Sequence, residues 1–214
     1  MEILLAAVPF AALAMLVGIP VLIVVLGLRS ARRTRENLTR LASDLGLQLH
    51  ERPPVLGLFP AMPTVDGARG GRKVRFFQFS TGSGKNRTVW SAVGVSCANP
   101  HGLQLRLGAQ NFLTVLGEKF GLQDLRLGVQ PFDDKFVVQT NAPDFLRAAL
   151  LPEIREPLLR HWPFSLGTAN LKIDGGEVVY AERGSFSDEK LIGRMKSLLD
   201  SLHALAALPE VYSA

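Results

Sequence analysis

Cys97 and His101 stand four positions apart in SCANPH, near enough for a turn to bring a thiol beside an imidazole. A nucleophile needs a base within hydrogen-bond reach and a further group to orient that base. No such group lies nearby in the chain, and two ligands fall short of a structural zinc set. The favoured reading of Cys97 is a core strand cysteine beside a loop histidine. It is the one cysteine of the chain, so it forms no intrachain disulfide, which suits a reducing compartment. Asp133 and Asp134, in GVQPFDDKFVV, could offer two carboxylates to a metal or to acid–base work. Successive side chains of a strand point to opposite faces, so the pair converges only where the backbone turns. The favoured reading has Pro131 and Asp133 setting a turn before Phe136 and Val138 enter the core.

GSGKN, residues 82–86, invites a phosphate-loop reading and fails it. That loop needs a glycine five positions before Gly84 and a hydroxyl residue after Lys85; Phe79 and Asn86 stand there. His50, His161 and His203 have no partner at metal-binding spacing. The sequence therefore assigns no catalytic residue, no cofactor and no metal. Asp133, Asp134 and Cys97 stay as functional candidates, belonging to an alternative reading as a membrane-tethered, hydrolase-like enzyme.

The elements that would position these residues begin with an oily run. The 214-residue chain is 47% apolar, and from Ile3 to Leu28 it carries no charge. As a helix that run would be about 39 Å long, enough to cross a hydrocarbon core of ~30 Å with some tilt. It is too long for the apolar core of a cleaved signal, and no small-residue cleavage pattern follows it. Arg29, Arg32, Arg33, Arg35 and Arg40 come next. Basic residues flanking a span resist translocation, so the chain beyond the span is expected on the cytoplasmic side of an inner membrane. The expected organisation is a transmembrane anchor over 1–29, an amphipathic juxtamembrane helix over 30–46 and one cytoplasmic domain over 47–214.

In that juxtamembrane helix Leu38, Leu41, Ala42 and Leu45 make an apolar stripe, and Gly46 is placed to end it. Alternation around Val74–Phe79 and Val89–Cys97, about the turn-rich STGSGKNRT, predicts a hairpin. HGLQLRLGA, LQDLRLG and DDKFVVQT read as strands, and NFLTVLGEKFG as a short helix. NAPDFLRAALLPEIREPLLRHW is helical, cut by Pro152 and Pro157. NLKIDGGEVVY predicts a hairpin about Asp174-Gly175-Gly176. SDEKLIGRMKSLLDSLHALAAL predicts a closing helix, capped by Ser187 and stopped by Pro209. Strands and helices in blocks point to an α+β domain with a mainly antiparallel sheet and packed helices.

Formal charge, +5 in all, is uneven: +3 over residues 1–40, −2 over 41–66, +7 over 67–117 and −3 over 118–214. The third block has no acid, and holds Arg69, Arg72, Lys73, Arg75, Lys85, Arg87 and Arg106. Solvated strand edges, where cations discourage aggregation, are one reading. Hairpin ends facing anionic headgroups are the second. Nucleic-acid binding through interleaved aromatics is a third and disfavoured one, because Phe76 and Phe77 fit a core better than a stacking platform.

Through Phe132-Asp133-Asp134-Lys135-Phe136, PEIREPLL and GGEVVY, the chain resembles a family of uncharacterised bacterial membrane-anchored proteins. These carry one N-terminal span, an arginine-rich junction and a Phe-Asp-x-x-Phe stretch. The resemblance implies no activity, cofactor or catalytic residue. The expectation is a non-enzymatic binding or scaffold protein whose partners are the lipid bilayer and a protein. Its contact candidates are Arg29, Arg32, Arg33, Arg35, Arg69, Arg72, Lys73, Lys85 and Arg87.

Overall fold

In a computed structural model, residues 2–51, 62–109, 122–163 and 167–213 are described. A long helix, α1 (Glu2–Leu45), leads into strands β1 (Gln48–His50), β2 (Thr64–Arg69), β3 (Arg72–Thr81), β4 (Thr88–Ser96), β5 (Leu105–Gly108) and β6 (Gln123–Leu125). Then come α2 (Gln130–Lys135), β7 (Val137–Thr140), α3 (Pro143–Ala149), α4 (Pro152–His161), β8 (Ala169–Asp174), β9 (Glu177–Arg183) and α5 (Glu189–Val211). The described strands form one sheet in the order β1-β2-β3-β4-β9-β8-β5-β7-β6, every pair antiparallel.

Period-two patterning builds that sheet. Val74 and Phe76, Val93 and Val95, Val178 and Tyr180, Leu171 and Ile173, and Leu105 and Leu107 all turn to one face and are buried there. Helices cover this face. The stripe expected on α5, from Leu191 through Leu205, is buried in the same core as Leu38, Leu41 and Ala42 of α1. Ring contacts tie α2 and α4 to the sheet: Phe132 to Phe136 at 4.7 Å, Phe136 to Trp162 at 4.9 Å, and Trp162 to Tyr180 at 5.4 Å. The other face carries no described helix and a smaller cluster, Trp90, Ala92, Val179 and Ala181, with Phe77 against it.

Local signals explain most ends. Gly46, at φ +66°, lets Leu47 N–H reach the Ala42 carbonyl at 2.8 Å, which closes α1. Pro152 opens α4 in its first turn, where a missing N–H costs nothing. The cap of α5 is Asp188, whose carboxylate accepts from Lys190 N–H, and not Ser187. Pro209 sits inside α5, which runs on to Val211, and Pro157 sits inside α4. The segment from Gln130 to Lys135 is helical, so DDK belongs to α2 and only Val137–Thr140 is strand. The helix expected from NFLTVLGEKFG lies outside the described residues.

The transmembrane anchor expected over residues 1–29 is corrected: among the described residues no helix is long and apolar enough to cross a membrane. α1 continues unbroken through Ser30 and the arginines into the core. The juxtamembrane helix over 30–46 is thus the C-terminal part of α1. The membrane, transmembrane and single-pass descriptions fall with the anchor; the α+β domain with its antiparallel sheet stands.

Candidate functional site

Strand register sorts the chain into two ends. At one end lie the β3–β4 hairpin tip after Thr81, the Trp90–Arg183 pair, the start of β8 at Ala169 and the end of β1 at His50. There α1 passes Ser185 and Phe186, with Thr34 Oγ1 3.4 Å from Ser185 Oγ and Asn37 Nδ2 donating to the Phe186 carbonyl at 2.9 Å. At the other end lie the Gly70–Gly71 turn, Ser96, the Gly175–Gly176 turn and the last turn of α5.

This geometry splits the cations that the sequence groups together. Arg72 sits at the second end and donates to both oxygens of Glu210, at 2.5 and 2.8 Å. Lys73 lies 3.6 Å from Asp66, which also meets His50 at 3.0 Å. Arg75 pairs with Glu177 at 3.1 Å and covers the Phe77 ring at 4.4 Å. Gly94 makes room for that pairing, since a Cβ there would collide with the Glu177 carboxylate. Arg69 also lies at the second end; its carbonyl faces His203 Nε2 at 3.0 Å. Three of the seven bases in the acid-free block, Arg72, Lys73 and Arg75, are thus met in space by acids from other segments.

The first end keeps more of its charge. Arg32 pairs with Glu36 at 2.8 Å and Arg35 with Glu51 at 2.5 Å, both pairs exposed. Among the described residues Arg29, Arg33 and Lys85 have no ion pair, and Arg87 Nε donates to Ser80 Oγ at 3.1 Å. Below the hairpin tip Phe77, Phe79 and Trp90 form a row on the face that carries no described helix, with Phe79 stacked on Trp90 at 6.4 Å. Trp90 Nε1 donates to Thr81 Oγ1 at 2.9 Å, and Phe79 is 37% exposed. From the same end α1 leads away with Ile19, Val21, Leu22, Val24, Leu26 and Leu28 all more than half exposed.

The chemical candidates do not converge. Asp133 accepts from the backbone N–H groups of Leu127, Gly128 and Val129 at 2.9, 2.7 and 3.1 Å, so its carboxylate organises the turn before α2. Asp134 is part of α2. Cys97 is half-buried; burial pushes its thiol up, against the pull of Arg72. His101 packs edge-on to Tyr212 at 6.5 Å, and no hydrogen bond joins it to Cys97 among the described residues. No cluster of metal-binding side chains occurs among the described residues either.

A constellation that sequence reading passed over lies at the first end, between α4, β9 and α5. Glu182, 4% exposed at its side chain, accepts from the Tyr180 hydroxyl at 3.0 Å and from Arg194 Nε at 3.1 Å, with a second, short contact to Arg194 Nη2. Burial, then the neighbouring carboxylate, pushes the Tyr180 phenol well up, and the same carboxylate raises Arg194 further. Around this buried ion pair opens a cleft of about 420 Å³ lined by Arg160, His161, Trp162, Pro163, Thr168, Glu182, Arg183 and Arg194. The signal was in the alternation: Glu182 falls in phase with Val178 and Tyr180 on the inward face, and an acid is rarely buried without a partner.

This is an antiparallel α+β sheet with helices over one face, a basic end and a polar cleft. No family model matches the chain, and no curated protein does. Among solved structures, the crystal structure of the mycobacterial trehalose monomycolate transport factor A, TtfA, is similar with a TM-score of 0.51 at 12% identity. The match covers 86% of this chain and 96% of that one, and at such identity the likeness is one of fold.

Proposed function

We propose that the chain is a non-enzymatic binding protein that presents the hairpin end of its sheet to anionic lipid headgroups. The observation carrying this reading is the concentration there of Arg29, Arg33, Lys85 and Arg87 without a carboxylate partner among the described residues, beside the exposed Phe79. Cations attract an anionic leaflet, and an aromatic edge suits its interface. The expected cytoplasmic, inner-membrane location is part of this proposal, held by surface contact. TtfA is named a transport factor, and a binding role for the shared fold agrees with that. A protein partner is the second reading, favoured by the apolar side chains that α1 exposes, since such a surface marks an interaction site.

Co-sedimentation with phosphatidylglycerol vesicles tests the proposal. Two cations near a charged surface contribute about 1 kcal/mol each, so Lys85→Gln with Arg87→Gln should weaken binding roughly 30-fold. Binding to neutral phosphatidylcholine should be weak and unchanged. Equal binding of wild type and variant, or none to the anionic vesicles at low salt, refutes it; crosslinking to one stoichiometric protein would then favour the second reading.

A further inference from the structure

The cleft beside Glu182 has a chemistry of its own. Its lining holds three guanidinium groups, on Arg160, Arg183 and Arg194, against the single carboxylate of Glu182. That carboxylate is already occupied, by the Tyr180 hydroxyl and by Arg194. It cannot also neutralise Arg160 and Arg183, so the guanidinium groups of the lining exceed its carboxylate by two, with Asp188 acting on Arg194 from outside the lining. Glu182 has the further effect of fixing the Arg194 fork: a buried partner with two contacts leaves that guanidinium few rotamers to choose from. One anchored arginine and two exposed ones thus surround a space also lined by the buried Trp162, the half-buried Pro163, His161 and Thr168.

Charge, shape and size each narrow the occupant. A phosphomonoester carries about −1.5 to −2 charges at neutral pH and three acceptor oxygens, which matches the excess of two. Guanidinium forks recognise such an oxyanion with paired N–H groups. The volume, about 420 Å³, lies within the roughly 300–1,000 Å³ of small-molecule sites and exceeds what a bare phosphate fills. A carbon skeleton against the Trp162 and Pro163 wall would use the rest. We propose that this cleft binds a phosphomonoester, with Arg160 and Arg183 receiving the phosphate and Arg194, held by Glu182, completing the set. The group could arrive on a free small molecule or on a lipid headgroup, and the chemistry at the arginines is the same. The site is separate from the hairpin surface, because neither Lys85 nor Arg87 lines it.

The test is calorimetric titration of the full-length chain with glycerol 3-phosphate, paired with co-sedimentation on vesicles containing phosphatidic acid or phosphatidylglycerol. Wild type should bind glycerol 3-phosphate saturably. Arg160→Gln with Arg183→Gln, both exposed positions, should keep the fold by circular dichroism and lose at least about tenfold in affinity, as expected for charged hydrogen bonds. Lys85→Gln with Arg87→Gln should leave the titration unchanged, which separates this site from the surface proposed above. A preference for phosphatidic acid that the arginine variant abolishes identifies the headgroup as the source; saturable binding without that preference identifies a free phosphomonoester. No saturable heat from glycerol 3-phosphate, or equal affinity in the arginine variant, overturns the proposal. So does full competition by chloride at equal ionic strength.

Discussion

Arg194→Met removes the partner of a carboxylate that sits almost wholly inside the protein. In the wild type Glu182 takes two contacts from Arg194 and one from Tyr180 at 3.0 Å. The substitution leaves one neutral hydroxyl donor to a buried charge. Breaking a buried ion pair in this way costs about 3–5 kcal/mol. Arg194 is 28% exposed at its side chain, so water reaches part of the site and the lower bound, about 3 kcal/mol, is the expectation. With a urea dependence of roughly 2 kcal/mol per molar, the unfolding midpoint followed by tryptophan fluorescence should fall by about 1.5 M. The decisive variant is the double one. Glu182→Leu together with Arg194→Met removes the charge as well as its partner, and an apolar replacement of a buried pair is commonly near neutral. The double variant should recover to within about 1 kcal/mol of wild type. A single variant costing less than about 1 kcal/mol, or a double no better than the single, would show that the pair does not carry the energy assigned to it.

At the other end of the sheet, Glu210 is drawn down to about 2, first by the hydrogen bond from Arg72 and then by the Ala98 N–H. A depressed carboxyl adds stability that is fully present above its unfolded value, near 4.3, and is lost as pH falls toward 2. Glu210→Gln should flatten the wild-type loss of stability between pH 5 and pH 2, and an unaltered acid titration would refute the coupling. Gly82 sits at φ +75° in the hairpin tip, and a Cβ there would strike the Asn86 carbonyl oxygen. Gly82→Ala should therefore cost about 2 kcal/mol in urea unfolding and weaken vesicle binding by disordering the tip; a stability equal to wild type would mean that the turn takes another shape. Burial raises the Cys97 thiol, so iodoacetamide should alkylate it more slowly than a free thiol at pH 8, and Cys97→Ala should leave vesicle binding intact. Rapid alkylation or lost binding would reopen the chemical reading of this residue.

What the sequence shows well is whatever depends on neighbours along the chain. The stripe of α5, the Gly46 stop of α1 and the hairpin about Gly175–Gly176 are all local patterns, and each stands in the fold. The misreadings have local causes as well. The turn expected at Asp133 stands, with three backbone N–H groups on its carboxylate, but the Asp133–Lys135 start of the expected strand is the end of a one-and-a-half-turn helix, because alternation from Phe136 and Val138 does not reach back across that turn. Pro157 and Pro209 read as breaks, but each lies within a helix whose buried face continues past it or up to it, through Leu158 and Leu208. Tertiary burial outweighs the lost hydrogen bond there.

Charge is where chain order misleads most. Seven bases without an acid between Gly67 and Gly117 suggest one positive patch. The antiparallel sheet instead sends alternate turns to opposite ends, so Arg69 and Arg72 are carried away from Lys85 and Arg87. Glu177 and Glu210, from the acidic last block, come back to meet Arg75 and Arg72. The same folding brings Arg160, Arg183 and Arg194, scattered through that net-acidic block, around a single cleft. Net charge per segment thus says little about where charge gathers in the fold. Three of the seven bases in the block at +7 meet acids, while the block at −3 places Arg160 and Arg183 on the lining of a cleft. Which charges share a surface of this fold is set by which end of each strand a residue occupies.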